Sequence, residues 1–198
     1  MKSEIDSMSS NQVWTLVDRA KGVKPIGCKW VYKHKISADG EVTTFKARLV
    51  AKGYTQRPGV EFEETFSPVA KAKSIRIMLA IEVWYDYKIW QMDVKMTFLN
   101  GFIEEEIYMD QPEGFTVVGE EQKVCHLQRS IYGLKKASQS QNIRFDEVIR
   151  GYDFVKNDFD HCVYKKVMSG SSIAFLVPYV DDILLIENDV KLLGDTKA

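Results

Sequence analysis

Cysteine is scarce in this 198-residue sequence, and long apolar runs and low-complexity tracts are missing; each absence removes a class of protein. The three cysteines, Cys28, Cys125 and Cys162, lie far apart with no Cys-x-x-Cys pair. That argues against a disulfide framework or a zinc knuckle and points to a reducing compartment. Cys125-His126 and His161-Cys162 resemble metal pairs only on paper, because neighbours in a strand point to opposite faces. No apolar run approaches a membrane span. Residues 1–11 are polar and carry Glu4 and Asp6, unlike a secretory signal or an Arg-rich transit peptide. What remains is the composition of a globular chain, 45% hydrophobic and 28% charged, long enough for one domain or two small subdomains with a sizeable core.

Net charge is also nearly missing, at −1, but the total hides a division. Residues 18–57 hold ten Lys or Arg against Asp18, Asp39 and Glu41, whereas residues 58–198 hold sixteen against twenty-three acids. A basic segment beside an acidic one suits a protein that holds polyanions with one part and metal ions with the other; a solvated charged surface is the plainer reading. Within the basic segment, Lys29-Trp30-Val31-Tyr32-Lys33-His34-Lys35 alternates apolar and basic residues, meets Asp39-Gly40, and continues into Phe45-Lys46-Ala47-Arg48-Leu49-Val50. The pattern predicts a β-hairpin whose Asp-Gly supplies the positive φ angles of a tight turn. One face would carry Trp30, Tyr32 and Phe45 and the other the cations.

Gly53, Pro58, Gly59 and Pro68 mark residues 53–68 as connecting loop. From Ala70 to Asp86, Ile75, Met78, Leu79 and Val83 recur at helical spacing and predict an amphipathic helix with that stripe in the core. Lys88–Val94 reads as a short strand with Asp93 near its end, and Phe98-Leu99-Asn100-Gly101 as a turn. Glu104–Glu106 reads as solvated surface leading into a strand that Pro112 stops. A second helix follows Ser130–Lys135, with Ile143, Phe145, Val148 and Ile149 as its stripe before Gly151.

The most informative feature lies near the end. Tyr179-Val180-Asp181-Asp182 sits between the apolar runs 173–177 and 183–186, so two adjacent carboxylates fall at the tip of a hairpin. Asp is depleted in strands, and like charges side by side repel unless a cation neutralises them. Hard Mg²⁺ takes oxygen ligands and keeps places for phosphate oxygens. A solvated Asp-Asp turn is the alternative for the pair taken alone.

The order of motifs is more specific than any one of them. From Val13 onward the chain resembles the reverse transcriptase domain of Ty1/copia-type retrotransposon Pol polyproteins. The resemblance is carried by Lys46–Gln56 (KARLVAKGYTQ), Glu64–Val69 (ETFSPV), Asp93-Val94-Lys95, Phe98-Leu99-Asn100-Gly101, Tyr132-Gly133-Leu134-Lys135 and Tyr179-Val180-Asp181-Asp182. It implies an α+β right-hand polymerase, with a polar extension over residues 1–12, fingers over about 13–69 and a partial palm over about 70–198. That palm would be a ferredoxin-like antiparallel sheet with helices, truncated, with thumb and RNase H missing. The implied activity is RNA-directed DNA synthesis, adding deoxynucleoside triphosphates to a primer 3′-hydroxyl on an RNA or DNA template. Two Mg²⁺ ions, with Mn²⁺ as the alternative, would be held by Asp93, Asp181 and Asp182 and the backbone carbonyl of Val94. Lys46 and Arg48 match the strand that holds the triphosphate, Phe98 the aromatic that abuts the sugar, and Tyr132 and Gly133 the loop along nucleotide and template. The implied setting is intracellular, a cytoplasmic particle or the nucleus, with no membrane partner.

Five positions depart from the family pattern: Met96, Lys136, Gln139, Pro178 and Glu187. Met96 puts bulk beside the carboxylates, Lys136 a cation for a neutral side chain, and Gln139 stands where a cation is expected. Pro178 removes a strand donor, which would loosen the hairpin, and Glu187 replaces a turn Gly. With the truncation, these carry a second reading: a catalytically inactive remnant with at most residual nucleic-acid binding through residues 18–57.

Overall fold

The hairpin predicted from the alternating basic segment forms. In the computed structural model, which describes residues 1–63, 65–94, 97–168, 172–179 and 181–188, helix α1 (Lys2–Ser10) and strand β1 (Trp14–Asp18) lead into β2 (Cys28–Ile36) and β3 (Val42–Ala51). A 3₁₀ turn at Gly53–Thr55 precedes α2 (Ala72–Tyr85) and β4 (Lys88–Asp93). A second 3₁₀ turn at Thr97–Asn100 leads to β5 (Tyr108–Met109), β6 (Lys123–Leu127) and α3 (Ala137–Gly151). The chain ends in β7 (Val155–Lys156), β8 (Tyr164–Val167), β9 (Ile173–Tyr179) and β10 (Asp182–Glu187). The named strands pair antiparallel in sheets ordered β1-β6-β5, β4-β10-β9-β8-β7 and β2-β3, a mixed α/β architecture.

Two compact units are interleaved in sequence. Unit 1 comprises Met1–Phe66 and Phe98–Gln141, and unit 2 comprises Ser67–Thr97 and Asn142–Ala198. In unit 1, the β2–β3 register sets Trp30 against Leu49, Tyr32 against Ala47 and His34 against Phe45. Directly opposed residues share a face, so Trp30, Tyr32 and Phe45 lie together, while Lys33, Lys35, Lys46 and Arg48 lie on the other face. The turn is longer than expected: Ser37 N–H donates to Glu41 O, Gly40 N–H donates to Ser37 O, and Gly40 alone takes a positive φ, of 84°. Leu49, Ala51, Val13, Met109, Leu127 and Ile131 form the core of this unit. Helix α1 joins it through Met8, which is fully buried, so the polar stretch before Val13 is part of unit 1.

In unit 2 the two faces of the five-stranded sheet are covered separately. Trp90, Met92, Ile183, Leu185 and Leu176 pack with Phe145 and Ile149 of α3. Ile89, Leu184, Ile186, Val177 and Phe175 pack with Ile75, Met78 and Ile81 of α2. Those that are fully buried, Leu176, Leu185, Val177 and Ile186, contribute about 1.5–3 kcal/mol each. The α2 stripe differs from the predicted one. Leu79 and Val83 are exposed: at 100° per residue they lie about 40° and about 80° past Ile75, outside the arc that runs from Ile75 through Met78 to Ile81. Ile143 and Val148 of α3 are likewise exposed.

Candidate active site

Unit 2 places the carboxylates through strand register. Asp93 is the last residue of β4 and Asp182 the first of β10, and the two are direct cross-strand partners, so their side chains leave the same face of the sheet. Asp181 precedes Asp182, and its carbonyl accepts a 2.8 Å hydrogen bond from the Val94 amide, which ties the turn to the end of β4. Residues 93 and 181, 88 positions apart in sequence, thus meet through the pairing of β4 with β10. Gln91, two residues before Asp93 on the same face, donates from Nε2 to Asp182 Oδ1 at 3.1 Å. Sequence reading missed Gln91; the period-2 rule applied backward from Asp93 would have found it.

Asp181 Oδ1 is buried and makes no hydrogen bond, an arrangement that costs free energy unless a cation or donor answers it. By oxygen type and strand position, the three aspartates fit a hard divalent cation. Their side chains do not form a closed cage: among the described residues, no group of three or more His, Cys, Asp and Glu is gathered tightly enough to hold a metal ion.

Unit 1 assembles the other predicted residues except Lys46. The Arg48 guanidinium lies over the Tyr132 ring, 5.2 Å from its centroid, and Tyr132 meets Phe98 edge-on at 4.8 Å. Such a stack holds a cation without neutralising it. Arg48 Nε is buried and makes no hydrogen bond. Lys46 shares the cationic face but is exposed further along the ribbon. Gly133 has φ 90°, and a Cβ there would lie 2.2 Å from the Ala51 carbonyl oxygen; one on Gly53 would lie 2.0 Å from the Gly133 oxygen. Both glycines permit backbone approaches that no side chain would fit. Ala51 N–H donates to Tyr132 O at 2.8 Å, and Gln56 Oε1, buried, accepts from Lys135 N at 2.8 Å. Gln56 thus anchors the Tyr132-Gly133 loop, a role that no local pattern announces.

Several departures from the family pattern find partners. Lys136 forms an ion pair with Glu105, so the middle residue of the Glu104–Glu106 run is half-buried rather than solvated surface, while its neighbours are exposed. Pro178 costs no ladder bond. Ile173 turns its polar groups toward Asn188, so odd-numbered β9 residues face β10, and Pro178 faces the β8 side, where pairing ends at Tyr164↔Leu176. Glu187 is not in a turn: it closes β10 opposite Lys88 and Ala174 and is fully buried. Gln139 Oε1 is buried without a hydrogen bond. Met96 lies outside the described residues. The cysteines are free thiols as expected; Cys125 is buried, while His126 on the opposite face stacks on Tyr108 at 4.9 Å.

The mixed α/β chain thus carries paired carboxylates on a β4–β10 register and, in unit 1, a cationic hairpin beside a tight glycine loop. The reverse transcriptase (RNA-dependent DNA polymerase) family matches residues 11–198, and the chain belongs to that family. It is 43% identical over 198 residues to the retrovirus-related Pol polyprotein from transposon TNT 1-94 of Nicotiana tabacum, covering 100% of this chain and 15% of that protein. Identity is 41% and 40% over 197 residues to the Pol polyproteins from transposons RE2 and RE1 of Arabidopsis thaliana, covering 99% of this chain and 14% and 13% of those proteins. The chain thus spans about one seventh of the length of these relatives. No solved structure matches it significantly. Among the described residues, no helix is long and apolar enough to cross a membrane.

Proposed function

We propose that this chain is the nucleotidyl-transfer part of a copia-type reverse transcriptase, with unit 2 contributing the palm and β2–β3 the fingers. It would extend a primer 3′-hydroxyl with deoxynucleotides on an RNA or DNA template. The observation that carries this reading is the Asp182–Asp93 cross-strand pair with Asp181 beside it, one of whose oxygens is buried and unbonded. Asp93, Asp181 and Asp182, with the Val94 carbonyl, would hold Mg²⁺ or Mn²⁺, which when bound lowers the pKa of a hydroxyl and neutralises phosphate charge. Arg48, seated over the Tyr132 ring, and Lys46 would bind triphosphate oxygens. Phe98 would abut the sugar, where bulk disfavours a 2′-hydroxyl. Gly133 would let the backbone approach the nucleotide.

One observation favours a second reading, an inactive remnant: Asp182 Oδ1 is already engaged by Gln91. Primer extension on an RNA template, with and without Mg²⁺, separates the two. Extension that Asp181→Asn/Asp182→Asn lowers at least about 10³-fold supports the polymerase reading. A folded chain that binds template-primer yet extends nothing supports the remnant.

A further inference from the structure

Unit 1 contains a cavity of about 750 Å³ that none of the residues assigned above lines. Its walls come from α1, the start of β1, the segments around Phe102 and Phe115, and the end of β6; they include Met8, Trp14, Phe102, Phe115, Gln128 and Arg129. The volume falls in the range of small-molecule sites. Among the described residues that line it, Arg129 is the one formal charge and no acid is present.

The walls are fixed by bonds that do not depend on a ligand. The amides of Gln128 and Arg129 both donate to Val13 O, at 2.8 and 3.2 Å, and Ile103 N–H donates to Gln128 O at 3.3 Å. Trp30 Nε1 donates to Glu113 O at 3.1 Å, and its ring packs on Phe115 at 5.6 Å, which holds that loop. Arg129 bridges to Phe102, its guanidinium 4.8 Å from the ring centroid. Of its five N–H donors, one from Nη1 goes to Leu99 O at 3.3 Å. The guanidinium is therefore oriented by a ring and a carbonyl, with an edge left for an anion.

We propose that this cavity binds a nucleotide, with the base among Trp14, Phe102 and Phe115 and the phosphate on Arg129, while Gln128, whose Nε2 lies 3.0 Å from His126 Nδ1, lines the wall. Three aromatic rings accept any planar base, and a lone, oriented guanidinium without acidic neighbours selects for a phosphate. The same chemistry is offered by a free nucleotide and by an unpaired nucleotide within a single strand. The inference does not rest on the polymerase reading, since none of the carboxylates or triphosphate-binding residues takes part.

The test is a titration of the ¹⁵N-labelled full chain, without divalent metal, with AMP, adenosine and hexa-adenylate, followed by NMR. AMP should shift the Trp14 indole N–H and the Gln128 side-chain amide, with adenosine binding about tenfold more weakly for want of the charged hydrogen bond. Arg129→Gln should bring AMP down to the adenosine level, and Phe102→Leu should weaken both alike, which keeps the proposal testable should either variant misfold. Tighter binding of hexa-adenylate than AMP would assign the site to single strands, and equal or weaker binding to free nucleotides. Shifts that spare Trp14 and Gln128, equal affinity for AMP and adenosine, or folded variants that bind as the parent does would each overturn the proposal.

Discussion

Glu105 and Lys136 show how one residue's meaning depends on another far away in sequence. Their side chains are only 21% and 24% exposed, so the charges are largely shielded from water. Breaking such a pair leaves an uncompensated charge, whereas replacing both partners is far milder. Lys136→Gln is therefore expected to cost about 1–3 kcal/mol, and Glu105→Gln/Lys136→Gln to regain most of it, as urea denaturation of the two variants would measure. Asp160 illustrates the same dependence within unit 2. Its Oδ2 accepts from Lys71 N at 3.0 Å and Ser74 Oγ at 2.6 Å, and Oδ1 accepts from Cys162 N at 3.0 Å, so a remote carboxylate caps α2, whose own N-cap residue, Lys71, makes no side-chain cap. Burial pushes its pKa up, but the bonds from Ser74, Lys71 and Cys162, aided by the Lys71 charge, outweigh that and hold it below the ordinary carboxylate range. The stabilisation is thus present above about pH 4 and is lost as pH falls through the depressed native value. Asp160→Asn should cost about 2 kcal/mol at neutral pH, and denaturation at successively lower pH should show the gap to the parent closing below about pH 4.

At the scale of elements, local pattern made several pieces legible. The β2–β3 hairpin could be read because the alternation on either side agrees with Asp39-Gly40 between them, and β4, β9 and β10 because their apolar runs are bounded by turns or carboxylates. Strands β1 and β6 were not legible: each is five residues long, and their register, Trp14 against Leu127 through Asp18 against Lys123, joins segments more than a hundred residues apart. Nor was the choice of α2 face, since Leu79 and Val83 are as apolar as the buried Met78 and only the packed sheet decides which side is covered. Of the site, the carboxylate positions were legible from residue type and Gln91 from the strand period counted back from Asp93, but Gln56 and Glu105 act through contacts that no local signal reveals. Pro178 was misread because strand membership alone suggests a lost donor, while the direction in which that donor would point depends on register. Pro178→Val should therefore change stability by less than about 1 kcal/mol, and a Tm within a few degrees of the parent's would bear this out. A gain of several kcal/mol would mean that the proline does strain the hairpin.

Taken as a whole molecule, the chain keeps free thiols in both of its units, and that sets its behaviour in alkali. Cys28 and Cys125 lie in unit 1 and Cys162 in unit 2. Burial pushes their pKa values up to about 11, about 12 and about 11 respectively; nearby Asp110 adds to the rise at Cys28, Cys28 at Cys125, and Asp160 at Cys162. In the unfolded chain these thiols ionise near their ordinary value of 9.0. Between about pH 9 and pH 11 the unfolded state therefore releases protons that the native state retains. Because stability rises with pH only where the unfolded state binds more protons, here it must fall. At pH 10 the loss is about 1 kcal/mol per thiol, or about 3 kcal/mol for the three, against a total of about 5–15 kcal/mol for a domain of ordinary stability. Urea denaturation at pH 7.5, 9 and 10 should show this decline, and a variant with all three cysteines replaced by alanine should be less stable at neutral pH but lose markedly less between pH 9 and pH 10. Parallel pH dependence in the two proteins would assign the alkaline loss to other groups, such as Tyr164, whose pKa burial and the Asp146 carboxylate also raise.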